Sequence, residues 1–377
     1  MDFLFTDEQN LLRDSVRKFV EKDYGFETRR GLLKSELGYS KDNWRSMAEL
    51  GWTALPFSEA DGGLGGKAVD TMIVLEEFGK GLVLEPYLPS IVFAGGLLRR
   101  AGDAVKQRFL PSLIGGETTA AVAYAEPESR FELAQVATSA KRDGDGFVLN
   151  GKKIAVFAGH AADVLVVSAR TAGARGERSG ITLFAIDAKA PGVQRQAYAT
   201  VDGLRAANVS LEGVKVGKDQ IVGELDSGLA LLEAVSDEVI IALAAEATGI
   251  MEVLYKSTVA YTKERKQFGV PIASFQVLQH RMVDQFMEYE QFKSLMYWAT
   301  MCQDAQREVS KAASSLKIML SRSGKLVGQA AIQNHGGMGM TEELAVSHYF
   351  KRLTMIDLTL GNGDYHLDRY RALPVAG

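Results

Sequence analysis

The sequence holds a single cysteine, Cys302, among 377 residues. One thiol cannot close an internal disulfide, and its five histidines form no Cys/His set with metal-ligand spacing, so no metal centre is expected. A reducing, cytoplasmic setting fits that cysteine usage. Basic residues are not in excess: 43 Lys and Arg stand against 47 Asp and Glu, a net charge of -4. Nucleic-acid binding, which needs a basic face to neutralise phosphates, is therefore not expected. The charge is also too small to hold the chain disordered. No apolar run reaches the ~18–20 residues of a membrane span. The acidic start, Met1 to Glu8, has neither a basic n-region nor an apolar h-region, so no secretory signal is read there.

What is present is a globular composition, 46% hydrophobic and 24% charged, in a chain too long for one core. Residues 1–115 read as helical. Thr6 with Gln9 fits a capping box, and Leu12, Val16, Phe19 and Val20 follow at helical spacing. Asp61–Gly66 is Gly-rich, but no strand leads into it and no Lys-Ser/Thr follows, so it reads as a plain loop. Residues 116–222 change character. Thr118–Glu126, Ala137–Arg142, Phe147–Asn150, Val164–Arg170, Gly180–Asp187 and Val209–Val216 are short, β-branched or alternating runs. Asp143-Gly144-Asp145-Gly146 is a hairpin signal. With no long helical pattern between these strands, a small antiparallel barrel or sandwich is expected. Residues 223–377 return to helix, with strong formers over Ala242–Tyr261, Ser274–Cys302 and Lys311–Gln333. The fold class is α+β, helix then sheet then helix bundle.

Two stretches carry chemistry. Glu264-Arg265-Lys266-Gln267-Phe268-Gly269-Val270-Pro271-Ile272, followed by Ser274-Phe275-Gln276, sits where one long helix ends and another begins. It offers a guanidinium suited to a pyrophosphate and an aromatic face suited to an adenine, or it is a solvated helix corner. Gln333-Asn334-His335-Gly336-Gly337-Met338-Gly339 follows a small-residue helix. Its glycines admit close approach of a ligand to backbone N–H groups, or they form a C-cap and turn with His335 packed.

These motifs, with Tyr124-Ala125-Glu126-Pro127, Asn150-Gly151-Lys152-Lys153 and the N-terminal Thr-Asp-Glu-Gln-x-x-Leu-Arg-Asp-Ser-Val, resemble in order the signatures of the acyl-CoA dehydrogenase family over nearly the whole chain. The resemblance implies an all-α N-terminal domain (1–115), a middle β-barrel domain (116–222) and a C-terminal four-helix bundle (223–377). It implies FAD as cofactor, an acyl-CoA substrate, a homo- or hetero-tetramer, and an electron-transfer flavoprotein as acceptor. Carried over, Arg265, Phe268 and Gln276 would hold the FAD of a neighbouring subunit. Gln333, Gly336 and Gly337 would contact the dinucleotide. Tyr124, Ala125 and the segment ending at Phe157 would lie against the isoalloxazine ring. The family's reaction needs a carboxylate to remove the proton α to the thioester carbonyl, in an apolar pocket that raises its pKa.

The sequence departs from the family at that base. The position after the Gly-Gly motif that usually carries Glu is Leu360, and the alternative position on the helix before Arg265 is Val239, followed by Ile240. Glu128-Ser129-Arg130-Phe131 replaces the usual Gly-Ala-Gly-Ser loop, and Ala155-Val156-Phe157 replaces Trp-x-Thr. Arg130 is a surface residue or meets a substrate carboxylate or CoA phosphate. Lys351–Asp357, Asp202–Ala207 and Ser274–Arg281 resemble the small subunit of pimeloyl-CoA dehydrogenase-type enzymes. Related actinobacterial steroid-degrading enzymes are heterotetramers in which one subunit carries the base and the other completes the FAD site. Within this chain, Glu238 and Asp364 are the candidate substitutes for the base. On a regular helix Glu238 points roughly 100° away from Val239. Three functions remain open: a subunit acting with a base-bearing partner, a self-sufficient dehydrogenase with a relocated base, and a non-catalytic acyl-CoA-binding relative.

Overall fold

The computed structural model describes residues 4–374, so the first three residues of the acidic start lie outside it. Helices occupy the chain up to Ile114: α1 (Asp7–Asp23), α2 (Phe26–Leu33), α3 (Lys41–Glu49), α4 (Ala68–Gly81), a π-helical stretch (Leu88–Ala94), α5 (Gly95–Leu98) and α6 (Asp103–Ile114). The capping box is formed: the Gln9 N–H donates to Thr6 Oγ1 at 3.2 Å, and the Thr6 N–H donates to Gln9 Oε1 at 3.1 Å. Val16, Phe19 and Val20 form the buried stripe of α1. Asp61–Gly66 is a loop packed on its own neck. A Cβ at Gly63 would lie 2.3 Å from the Phe57 carbonyl oxygen, and one at Gly66 2.7 Å from that of Leu55.

Eight strands follow: β1 (Ala120–Ala123), β2 (Ser139–Asp143), β3 (Gly146–Phe157), β4 (Val164–Arg170), β5 (Ile181–Asp187), β6 (Val193–Ala199), β7 (Arg205–Val216) and β8 (Ile221–Val222). The hairpin forms where its signal lies, with Asp143 paired to Gly146 across Gly144-Asp145. The hydrogen-bonded order is β6-β7-β3-β2-β4-β5-β8. The long pairings are antiparallel, but β1 runs parallel to β4, and β2 meets β4 in parallel at Ser139 and Arg170. The sheet is thus mainly antiparallel, as expected, with the parallel β1–β4 and β2–β4 pairings added to it. β1 and the first six residues of β4 are buried throughout, the pattern of strands covered on both faces, which suits parallel pairing. Leu149, Leu165, Val167, Phe184, Val209 and Leu211 are the centre of this core. β6 escaped the sequence pattern because Val193–Ala199 is an exposed, polar edge strand that pairs only with β7.

The remaining helices are α7 (Gly228–Glu264), α8 (Gln276–Asp304), α9 (Val309–His335), α10 (Ala345–Leu358) and α11 (Gly363–Ala372). No helix among the described residues is long and apolar enough to cross a membrane. The chain divides into two compact units, one of Met1–Gly31, Ala68–Val83 and Ile240–Gly377, the other of Leu32–Lys67 and Leu84–Val239. In the first, α4 and α7 approach through a pair of glycines. A Cβ at Gly79 would sit 2.1 Å from the Glu246 carbonyl oxygen, and one at Gly249 1.9 Å from that of Glu76. One turn of α7 also fixes α10. Arg352 donates to Glu246 through Nε at 2.6 Å and Nη2 at 2.8 Å, with both side chains buried.

Removing one partner of a buried ion pair leaves the other charge uncompensated. Arg352→Leu is expected to lower stability by about 3–5 kcal/mol, read as the change in urea-unfolding free energy. The double variant Arg352→Leu/Glu246→Leu should recover most of that loss.

Candidate functional site

In the helical unit, α7 ends at Glu264 and the chain turns through a two-stranded hairpin, β9 (Lys266–Gln267) and β10 (Val270–Pro271), before α8 begins at Gln276. Phe268 and Gly269 form the hairpin tip, both with positive φ, 54° and 80°. A phenylalanine in the left-handed region is strained, and such strain collects at binding sites. Phe268 is 92% exposed. Arg265, Gln276 and Gln333 are exposed too, and none of the three makes a side-chain hydrogen bond among the described residues. The corner is therefore a set of presented side chains, not a packed turn.

At the end of α9, His335 stacks on Tyr261, with ring centroids 4.4 Å apart and planes 28° apart. Its Nδ1 lies 2.8 Å from the Ala331 carbonyl oxygen, and burial lowers its pKa. This is the packed role for His335. Gly336 has φ 60°, and a Cβ added at Gly336 or Gly337 would meet nothing within 4 Å. The glycines thus leave room beside their backbone N–H groups. Beside them both amide atoms of Asn334 are buried without a partner among the described residues. The Gly336 N–H is spent on the Gln333 carbonyl, so the room beside the two glycines, the unspent Asn334 amide, the Arg265 guanidinium and the exposed Phe268 ring are what this region offers a dinucleotide.

In the β-bearing unit, Tyr124 and Ala125 follow β1, and the Ile154 N–H donates to the Ala125 carbonyl at 2.9 Å. That bond draws Tyr124-Ala125 to the end of β3. The end is irregular: the β3–β7 register shifts between Lys153 and Val156, and Ala155 and Ala158 have φ of 50° and 57°. Phe157 is half-buried between these two left-handed alanines. Arg130 is exposed, also with positive φ, 47°.

The motifs at Glu126 and Lys153 hold these segments together, a role the sequence patterns did not reveal. Lys153 Nζ donates to Glu126 Oε1 at 2.7 Å and to Ser168 Oγ at 3.0 Å, and lies 3.4 Å from the Tyr124 carbonyl oxygen. Glu126 also accepts from the Ala137 and Thr138 N–H groups at 2.7 and 3.0 Å. Burial pushes Lys153 down to about 8, against the pull of Glu126. Burial acts to raise Glu126, but the Lys153 charge and these hydrogen bonds bring it below the usual carboxylate range. The only sequence signal was an Asn-Gly turn followed by two lysines, with no indication of which one turned inward.

The two positions at which the resemblance expects a base, Val239 and Leu360, are buried, 1% and 9% exposed. Leu360, with φ 59°, lies in the turn after α10. Lys317 Nζ donates to the carbonyls of Ile356, Asp357 and Thr359 at 2.7, 2.7 and 2.8 Å, and His366 Nε2 lies 2.9 Å from that of Leu360. Burial drives Lys317 down to about 7. Lys317 and His366 therefore fasten the turn that holds Leu360. Glu238 is clamped: Arg99 Nη2 donates to its Oε2 at 2.9 Å, and Arg100 binds Oε1. Asp364 is exposed in the first turn of α11, where a carboxylate complements the helix dipole.

Lys153→Met would strand Glu126 in the interior. It is expected to destabilise the protein by about 3–5 kcal/mol, measured by chemical denaturation. Lys152→Met, at the exposed neighbour one residue away, should change stability by less than about 0.5 kcal/mol.

Comparison with known proteins agrees with this geometry. Three family models match in sequence: the acyl-CoA dehydrogenase N-terminal domain at residues 6–117, the middle domain at 121–214 and the C-terminal domain at 227–372. The 3-(aryl)acrylate reductase of Clostridium sporogenes is 29% identical over 366 residues, 96% of each chain. A variant of the Tcur3481-Tcur3483 steroid ACAD is 28% identical, with a TM-score of 0.87 over 97% of each chain. The ChsE4-ChsE5 complex from Mycobacterium tuberculosis includes a chain 26% identical, with a TM-score of 0.90 over 100% of each. The chain belongs to the acyl-CoA dehydrogenase family, FAD-dependent oxidoreductases that act on a CH–CH bond.

Proposed function

We propose that this chain is the flavin-completing subunit of a hetero-oligomeric acyl-CoA dehydrogenase, and that a partner subunit supplies the base. The observation that carries the reading is an asymmetry. The residues suited to FAD are kept and presented, whereas Val239 and Leu360 are buried hydrocarbon at the two base positions. The carboxylates near those positions do not replace the base well. Glu238 is held by two guanidinium groups, and Asp364 is exposed at a helix start. Two similar structures are named as pairs, Tcur3481-Tcur3483 and ChsE4-ChsE5, the second of them a complex. That supports pairing here, as does the resemblance to the small subunit of pimeloyl-CoA dehydrogenase-type enzymes.

FAD, when bound, accepts the β-hydride as the α,β double bond of the 2-enoyl thioester forms. The chain's own residues bind and orient. Arg265 would neutralise the pyrophosphate, which its planar fork suits. Phe268 would cover the adenine, and Gln276 and Gln333 would hydrogen-bond the dinucleotide. Gly336 and Gly337 would let the dinucleotide approach the backbone with no Cβ in the way. Tyr124, Ala125 and Phe157 would form the wall against the isoalloxazine ring, kept dry by the Glu126–Lys153 pair behind it. The substrate class is an acyl-CoA, and an electron-transfer flavoprotein is the acceptor that the family suggests.

Purified alone, the chain is expected to retain little FAD and to show no bleaching with acyl-CoAs under anaerobic conditions. Co-expression with a base-bearing family member should give stoichiometric flavin that bleaches on substrate addition. Arg265→Ala in that complex should lower its FAD affinity at least tenfold, about 1.4 kcal/mol. Full flavin with substrate bleaching by the chain alone would instead establish a self-sufficient dehydrogenase. Absence of flavin in every pairing would establish a non-catalytic relative.

A further inference from the structure

The chain leaves Phe157 through a tight turn. The Gly159 N–H donates to the Val156 carbonyl at 3.0 Å, and the Ala161 and Ala162 N–H groups both donate to that of Ala158 at 3.1 Å. The Ala158 N–H donates to the Arg205 carbonyl on β7 at 3.0 Å. Ala155 and Ala158, on either side of Phe157, have positive φ, and such residues persist only where their surroundings hold them.

Three side chains hold this turn and the stretch between α2 and α3 beside it. Arg195, on β6, donates through Nη1 to the Gly159 and Ala162 carbonyls at 3.1 and 2.8 Å. His160 Nε2 lies 2.8 Å from the Leu37 carbonyl oxygen, which ties the turn to that stretch. Arg205 Nη2 donates to the Leu33 and Ser35 carbonyls at 3.3 and 2.8 Å. Its stem packs so closely that a Cβ at Gly38 would lie 2.8 Å from Arg205 Cγ.

A carbonyl only accepts, so Nε2 carries the proton of neutral His160. Nδ1 is buried with no partner among the described residues. A second proton there would be an N–H without an acceptor, repelled by the Arg205 and Arg195 charges. Burial, then these two charges, lower the His160 pKa against the pull of the Leu37 carbonyl. The other titratable groups of these segments do not offset that repulsion. Asp163, in the same turn, accepts from the Thr119 N–H at 2.9 Å. Burial and Asp163 keep the Tyr39 hydroxyl protonated, and Lys34 and Glu36 are exposed.

We propose that His160 is a positioning residue for the flavin wall: neutral, it ties the turn after Phe157 to the Leu37 stretch, and protonated, it releases that turn. The proposal rests on the assignment of Tyr124, Ala125 and Phe157 to the isoalloxazine ring. The released turn takes up its proton near the ordinary histidine value of about 6.5, and the held turn only below it. The tie is therefore complete above about pH 6.5 and weakens as pH falls from there toward the lower pKa of the held state.

Hydrogen exchange of the chain alone reads the turn, and flavin affinity of the complex reads the wall. The Ala158, Ala161 and Ala162 amides, corrected for intrinsic exchange, should exchange about fivefold faster at about pH 5.5 than at about pH 7.5, the worth of one hydrogen bond. His160→Leu should show the faster exchange at both pH values and raise the FAD Kd of the complex about fivefold at the higher one. His160→Gln can still donate to Leu37 but does not titrate, so it should keep slow exchange and the original FAD affinity at both. Exchange that ignores both pH and His160→Leu overturns the proposal, and so does a pH dependence that survives His160→Gln. Altered exchange with an unaltered FAD Kd confines His160 to the turn and also overturns it, while the dehydrogenase reading stands. Absence of flavin from every pairing overturns both.

Discussion

The candidate flavin wall depends on one buried ammonium. Lys153 is fully enclosed in the β-bearing unit, and two of its partners lie on the segment proposed for the flavin wall. Glu126 and the Tyr124 carbonyl lie on the segment after β1, and Ser168 lies on β4. An isolated charge at that depth is untenable. The Glu126 carboxylate, itself satisfied by two backbone N–H groups, makes it tolerable. The strained end of β3, with Ala155 and Ala158 in the left-handed region, persists because this pair and the Ile154–Ala125 hydrogen bond hold both sides of it.

The helical unit solves a similar problem differently. Lys317 is also buried, but its partners are three backbone carbonyls at the end of α10. The Ile356 carbonyl also accepts from the Thr359 N–H at 3.3 Å, but the last carbonyls of a helix lack partners within it. The ammonium therefore does the work of a helix C-cap and fixes the turn holding Leu360. In this chain that turn is held by polar groups from below while presenting hydrocarbon.

Local signals were legible in the sequence: the Thr6–Gln9 box and the Gly144-Asp145 hairpin each formed where the residues pointed. What escaped depends on tertiary context. β6 is polar on both faces and exists only through its pairing with β7. The parallel β1–β4 contact has no local marker, because parallel pairing is set by what covers the sheet. The π-helix gives no periodic signal distinct from an α-helix, and the tie from His160 to Leu37 joins residues 123 positions apart. At the base, the sequence offered Glu238 as a candidate. Its clamp by Arg99 and Arg100 depends on residues 138 and 139 positions away.

The central claim is that this chain lacks its own base for the α-proton. Proton exchange tests it without requiring hydride transfer. An acyl-CoA would be incubated in deuterated water with the flavin-reconstituted chain alone and with the complex, and α-deuteration followed by NMR. The account requires exchange by the complex and none above background by the chain alone. Exchange by the chain alone at the rate of the complex, lost in Glu238→Gln or Asp364→Asn, would contradict it.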